Sequence, residues 1–351
     1  MDKFPIQLLE KILCYISGKL DIRLVCRKFA QLKPNPIPGN FTPGADNVCS
    51  VSSLFTMLLL KCVPCIPRRL THLTFDNNFN NPVDCLSALE HLKYLKFGYN
   101  FNQDVTNLPN SLTHLVLRGS FNKPVDSLPQ SLEILDLNSC FNHSVDSLPS
   151  TLKVLILGLH FDQTVDKLPL LTELVLGDRF CQSVDSLPPT LIRLSLGYNF
   201  NRTVDLLPQS LKYLKLGRSF NKPINRLPDL LTLIIGSYFI KPLDSLPQSL
   251  VNLMLEGYYP SRLDMLPKLK TLYVNSFISI TRTISELPES LTHLVLNSNY
   301  NNVFNIDVLQ NLTWLELGGD FNRPVDFLSN LTNLTNLKFG LKFNNPVDNL
   351  P

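Results

Sequence analysis

Residues 121–137 read Phe121-Asn-Lys-Pro-Val-Asp-Ser-Leu-Pro-Gln-Ser-Leu-Glu-Ile-Leu-Asp-Leu137, and variants of this stretch recur from about residue 70 to the last residue. There are about fourteen copies, and they follow one another every 19 to 22 residues. Phe-Asn begins eight of them, at positions 79, 101, 121, 141, 200, 220, 321 and 343. A fixed period of this length predicts a solenoid, in which chain length reflects copy number.

Each copy contains one short strand pattern, seen in the apolar alternation of residues 132–137. The rest of the copy is long enough to return the chain in parallel, so we expect one parallel β-sheet. A glycine often follows the strand, as at Gly98 and Gly197, where we expect the positive φ of a tight turn. We expect the repeated Phe to stack in the core and the Asn after it to satisfy backbone groups.

Groups suited to catalysis or metal binding are scarce. The aspartate of the recurring Val-Asp, for example Asp126, is expected to cap the Leu-Pro return segment, with a metal or catalytic role as the alternative. Cys62 and Cys65 form the only close pair among eight cysteines, and no second pair or suitably spaced His completes a zinc site. Since no phosphate loop or nucleophile motif is present either, we predict no catalytic residue, no metal, no cofactor and no enzyme activity.

Composition gives no strong electrostatic signal. Charged residues make up 17% of the chain, and the net charge is +3. We therefore predict neither a nucleic acid nor a membrane partner. The first residues lack the apolar core of a signal peptide and no apolar run is long enough to span a bilayer, so we expect a cytoplasmic protein, in the host cytoplasm if the chain is viral.

The repeated pattern Phe-Asn-x-Pro-Val-Asp-x-Leu-Pro-x-Ser-Leu resembles the FNIP repeat, a short relative of the leucine-rich repeat, over roughly four fifths of the chain. The resemblance implies FNIP-type repeats over residues 67–351. Residues 33–46 are rich in Pro and Gly and read as a linker. Residues 47–66 contain an apolar stretch of rough helical periodicity, interpreted as the N-terminal cap of the solenoid, with a membrane-surface helix as the alternative.

Residues 1–32 differ from the repeats. Two amphipathic helices are predicted there, and such a pair must bury its apolar side against the solenoid or another protein. The segment resembles an F-box, a helical hook that docks on a Skp-type adaptor of a cullin-RING ubiquitin ligase. By that resemblance, the adaptor-facing candidates are Pro5, Leu9, Ile12, Leu13, Val25 and Cys26. Asp21 and Val25 stand about one helical turn closer than in the family pattern, and an amphipathic cap on the first coil is the alternative.

Strand alternation also predicts two outward columns of side chains, taken one residue per strand. Both columns vary from copy to copy, as expected of a surface tuned for a partner or of neutral drift. One aliphatic area comprises Val116, Ile134, Val154, Ile156 and Val175. The candidate target-binding residues, which include the only tryptophan, are Arg193, Tyr213, Ile234, Met254, Tyr273, Val295, Trp314 and Glu316. The alternative for both areas is plain strand propensity.

Two functions are consistent with these patterns. In the first, the chain is the substrate receptor of an SCF-type ubiquitin ligase, with the F-box on the adaptor and the repeats on an unidentified target protein. In the second, it is a repeat scaffold that binds a protein partner without a role in ubiquitin transfer. The N-terminal segment distinguishes the two.

Overall fold

The computed structural model describes residues 48–51, 69–138, 140–257, 262–276, 287–298, 301 and 308–351. The F-box-like segment 1–32 and the linker 33–46 therefore lie outside the described residues. The chain divides into two compact units. The first comprises Met1–Lys123 with Ser127–Leu132, and the second comprises Pro124–Asp126 with Glu133–Pro351.

Each unit contains a β-sheet. Within each unit, strands that follow one another in the chain pair in parallel. The strands of the first unit are β1 (Val48–Val51), β2 (His72–Phe75), β3 (Tyr94–Lys96) and β4 (His114–Val116). Those of the second are β5 (Ile134–Leu137), β6 (Val154–Leu157), β7 (Glu173–Val175), β8 (Arg193–Ser195), β9 (Tyr213–Leu216), β10 (Thr232–Ile235), β11 (Asn252–Leu255), β12 (Thr271–Ser276), β13 (His293–Ser298), β14 (Trp314–Leu317) and β15 (Asn336–Phe339). The predicted parallel solenoid of leucine-rich-repeat type is confirmed.

The start of the predicted cap differs from its helical pattern. Val48–Val51 is a strand, and it pairs in parallel with β2. A strand that continues the ladder covers the edge of β2, which is one task of a solenoid cap. That residues 47–66 as a whole form the cap stays a prediction.

The repeated phenylalanines form the predicted ladder in the core. Phe180, Phe200 and Phe220 are fully buried, and their ring centroids lie 6.1 and 6.3 Å apart. The ring planes are nearly parallel to those of their neighbours, at interplanar angles of 11° and 3°. Phe79, Phe101 and Phe121 repeat the arrangement in the first unit. In these coils, one aromatic ring therefore packs against the ring of the next coil.

Polar ladders run beside the aromatic one. The side-chain oxygen of Asn201 accepts the backbone N–H of Asn221 at 2.9 Å, and that of Asn221 accepts the N–H of Ile240 at 3.1 Å. Where Asp162 stands in place of Asn, its carboxylate accepts the N–H of Cys181 at 2.8 Å. The predicted role of the Asn is confirmed. A second ladder was not predicted: the Ser210 hydroxyl donates to the Leu191 carbonyl at 2.7 Å, and equivalent Ser or Thr residues repeat this bond.

The exit glycines correct the prediction made for them. Among the described glycines only Gly119 has a positive φ, of 68°. At Gly177, Gly197 and Gly217 a Cβ would instead collide with the backbone carbonyl of the glycine in the preceding coil. Glycine is required there because consecutive coils approach closely, and the expectation of a positive φ was wrong at these positions.

The Val-Asp aspartates correct a second prediction. Asp84 and Asp326 are the first residues of the 3₁₀ helices Asp84–Ala88 and Asp326–Asn330. The N-cap positions are therefore Val83 and Val325, and neither has a side-chain hydrogen bond. Their carboxylates instead accept the side-chain amides of Asn107 and Asn349, each at 2.7 Å. The acid therefore connects neighbouring coils at these two positions, where a cap was expected. In these two copies Ser replaces the Pro of Leu-Pro, which leaves the backbone able to form a helical turn.

Candidate functional site

The outward columns occur in the structure with the predicted membership. Strand register aligns Arg193, Tyr213 and Thr232 as the first column of β8 to β10, and this column continues to Trp314 on β14. The second column of the same strands is Ser195, Lys215, Ile234, Met254, Tyr273, Val295 and Glu316. Together these two columns on β8–β14 are called the target face. All eight predicted target-binding residues lie on it.

The first column carries its charge and aromatic rings at its two ends. The Arg193 guanidinium lies 4.2 Å from the Tyr213 ring centroid and 3.6 Å from a carboxylate oxygen of Glu173. At the other end, Trp314 is 37% exposed, and its ring stacks beside His293 at 6.5 Å. Aromatic and Arg side chains held by neighbours but still accessible are favoured anchors for a protein partner.

The second column supplies the apolar part of the face. Ile234, Met254, Tyr273 and Val295 are partly exposed and occupy adjacent positions on β10 to β13. The row ends at Glu316, whose carboxylate pairs with Lys338 at 2.7 Å. Four such side chains in a continuous row form a larger apolar patch than isolated surface residues do. This row is the apolar centre of the target face.

Four of the five residues of the aliphatic area predicted nearer the N-terminus lie together in the second unit. Ile134, Val154, Ile156 and Val175 are neighbours on β5 to β7, whereas Val116 belongs to the first unit. Beside Ile156 and Val175 lies an open groove of about 240 Å³. Exit glycines line it because they have no side chains to fill it. It is smaller than the roughly 300–1,000 Å³ of small-molecule sites.

Among the described residues, the titratable side chains form no metal-binding group. In the described parts of the chain, no three His, Cys, Asp or Glu side chains lie together in a way that would bind a metal. Burial raises the pKa of the Cys85 thiol. A hydrogen bond from Arg262 lowers the pKa of the Asp264 carboxyl. Both effects have local structural causes. The prediction of no enzyme activity and no cofactor stays a prediction.

One surface cluster was missed by the sequence analysis. The Arg218 guanidinium lies 5.6 Å from the Tyr198 ring centroid and 5.0 Å from that of Tyr238. The three residues lie in the exit turns of three consecutive coils, and both tyrosines are exposed. Two residues separate the exit glycine from the Phe in these coils. Tyr198 and Arg218 occupy the first of these positions and Tyr238 the second, so an alignment by position would have paired only Tyr198 with Arg218.

The adaptor candidates Pro5, Leu9, Ile12, Leu13, Val25 and Cys26 lie outside the described residues. Within the described residues, no helix has the length and apolar character needed to cross a bilayer.

Comparison with known proteins supports the repeat. Five stretches of the chain match the family model of the FNIP Repeat. They are residues 90–118, 104–140, 121–160, 198–232 and 283–320. The matched FNIP repeats cover less than half of the chain, and they include β3 to β6, β9, β13 and β14. No match to the chain was found among curated proteins.

Two solved structures extend the likeness beyond the matched FNIP repeats. CroV588, described as a novel circular LRR protein structure, shares 29% identity over 82% of this chain with a TM-score of 0.52. This chain spans only 59% of the CroV588 chain. An internalin, InlF from Listeria monocytogenes, shares 19% identity over 77% of this chain and 86% of its own, with a TM-score of 0.55, and supports the fold alone. The chain is a repeat protein of leucine-rich-repeat type, a fold that generally serves protein interaction.

Proposed function

We propose that the chain binds a target protein through the target face and delivers it to a cullin-RING ubiquitin ligase of the SCF type. The observation that carries the binding half is the row of Ile234, Met254, Tyr273 and Val295, which ends beside the exposed Trp314. A continuous apolar row with an aromatic anchor and polar ends has the anatomy of a protein interface.

The ligase half rests on the F-box resemblance of residues 1–32. In this hypothesis Pro5, Leu9, Ile12, Leu13, Val25 and Cys26 contact a Skp-type adaptor. The chain itself performs no chemistry. It holds target lysines near the ligase and so raises their effective concentration. The alternative is a repeat scaffold that binds the same target in the cytoplasm and has no ubiquitin role.

A binding experiment with one double variant tests the ligase half. The full chain is mixed with a purified Skp-type adaptor, beside a variant carrying Ile12→Asp and Val25→Asp. Binding by the wild type and loss in the variant supports the ligase hypothesis. An intact chain that fails to bind the adaptor of its own cell refutes that hypothesis and leaves the scaffold.

The target face is tested separately by photo-crosslinking. A photoreactive amino acid placed at Tyr273 should crosslink to a protein from the same cells. The same group at Leu206, which is 64% exposed on a return segment, is the control. Equal crosslinking from both positions would contradict target binding at this face.

A further inference from the structure

Lys215 is the one charged residue in the middle of the target face, because it stands between Ser195 and Ile234 in the second column. Two other basic residues of the sheet have a carboxylate on an adjacent strand: Arg193 has Glu173, and Lys338 has Glu316. Lys215 is exposed, and no described carboxylate lies within ion-pair distance of it. Its register neighbours explain this, since neither Ser195 nor Ile234 can supply an anion.

Arg218 adds a second cation on the same coil. It lies between the rings of Tyr198 and Tyr238, and it likewise has no described ion-pair partner. Both ring centroids lie within the range of about 6 Å over which a guanidinium and an aromatic ring attract each other. The coil of β9 therefore offers two uncompensated positive charges three residues apart.

The groove described above ends at Lys215. Its floor includes Gly158, Gly177 and Gly197, and Asn138 lies at its other end. The lining residues come from the coils of β5 to β9, so the groove follows the direction in which the coils stack. At about 4.8 Å per strand, the four steps from β5 to β9 cover roughly 19 Å, the length of about six extended residues. A groove this shallow fits a peptide segment better than a compact ligand.

The side chains on either side of Lys215 define what such a segment must contain. Ile156 and Val175 lie beside the groove, and Ile234 and Met254 continue the second column beyond Lys215. An apolar side chain is favoured at both places, and a carboxylate is favoured between them. Asp178 also lines the groove, but its carboxylate accepts the N–H of Tyr198 at 3.1 Å and so is held by the adjacent turn.

We propose that the target face binds an extended segment of the partner protein in which an Asp or Glu, flanked by apolar residues, pairs with Lys215. The apolar residue on one side lies in the glycine-floored groove, and the residues on the other side lie on Ile234 and Met254. Arg218 strengthens the attraction from the edge of the face. The inference rests on the proposed function, because it names the kind of partner that the target face recognises.

The probe is a phage-displayed library of random twelve-residue peptides, selected on the full chain. Selected peptides are then synthesised with a fluorescent label and measured by fluorescence polarisation. We expect an acidic residue with apolar neighbours to be enriched. Lys215→Glu should weaken these peptides by about tenfold or more, since it replaces an attraction with a repulsion. Lys222→Glu is the matched control, because it makes the same charge change on the return segment of the same coil, and it should alter affinity less than twofold.

A charge exchange distinguishes pairing from simple damage to the fold. Replacing the acid of the peptide by Lys should restore binding to the Lys215→Glu variant. Selected peptides that lack an acid overturn this inference. It is also overturned by peptides that bind the Lys215→Glu variant as tightly as the wild type but bind the Trp314→Ala variant more weakly. Both results leave the proposed target face intact. Peptides that depend on neither position overturn the inference, and equal crosslinking from Tyr273 and Leu206 would overturn the target face as well. Failure to select any peptide overturns the inference alone, because crosslinking at Tyr273 tests the face with the folded partner. The inference would also be overturned if the wild type self-associated and the Lys215→Glu variant did not, since a second copy of the chain would then cover the groove.

Discussion

Removing one ring from the aromatic ladder should break the contact between coils at a defined place. Phe200 is fully buried, and its ring lies 6.1 Å from that of Phe180 and 6.3 Å from that of Phe220. Phe200→Ala removes both contacts and leaves a cavity between two rigid coils. Changes of this kind cost about 3–5 kcal/mol of unfolding free energy. The upper half of that range applies if the coils cannot collapse onto the cavity.

Hydrogen exchange of backbone amides in β8 and β9 is the direct measurement, because a solenoid can open locally without unfolding as a whole. A loss of that size raises the opening equilibrium on the order of a hundredfold to a few thousandfold. Leu206→Ala is the matched control, since Leu206 belongs to the same copy but is 64% exposed, and it should cost less than about 0.5 kcal/mol. Equal exchange in the two variants would refute the claim that the ladder holds the coils together.

Three further predictions follow from single contacts. Gly197→Ala should lower the free energy of unfolding by about 1–3 kcal/mol, because the added Cβ would collide with the Gly177 carbonyl. Thermal denaturation measures the loss, and the nearby Asn199→Ala should leave stability nearly unchanged. Asn201→Ala should cost about 0.5–1.5 kcal/mol through loss of the bond to the Asn221 N–H, and Asn201→Asp should restore most of it, since Asp162 fills this role naturally; equal losses would refute the ladder. Cys85, whose pKa is raised by burial, should react with iodoacetamide at pH 8 more slowly in the folded chain than in urea, and an equal rate would contradict its burial.

The sequence was sufficient for features that every copy repeats. The strand, the buried Phe and the Asn hydrogen bond recur in register in many copies, so each copy gives independent evidence for the same pattern. The outward columns followed from the same register once one strand was placed. Even the membership of the target face, from Arg193 to Glu316, needed only alternation along each strand.

Features that depend on distances between coils could not be predicted in this way. The exit glycines were visible, but whether they served a positive φ or a close approach depends on how near Gly197 lies to Gly177. The Asp84 carboxylate could cap its own turn or reach Asn107 of the next copy, and only the structure distinguishes these. Arg218 between Tyr198 and Tyr238 is likewise a contact among three coils.

The division between ladders and columns has a consequence for recognition. The Phe, Asn and Ser ladders bond each coil to the next through side chains that face the core or the return segment, so they fix the spacing of the coils without using the outward positions. The columns are then free to vary one residue at a time on a sheet whose geometry stays constant. A partner segment that crosses several coils meets one column residue per coil at a regular spacing. Lys215, which lies between Ser195 and Ile234 without a carboxylate partner, lowers the stability of the fold little, because its exposed side chain remains hydrated. It nevertheless determines which residue of the partner can lie opposite the coil of β9.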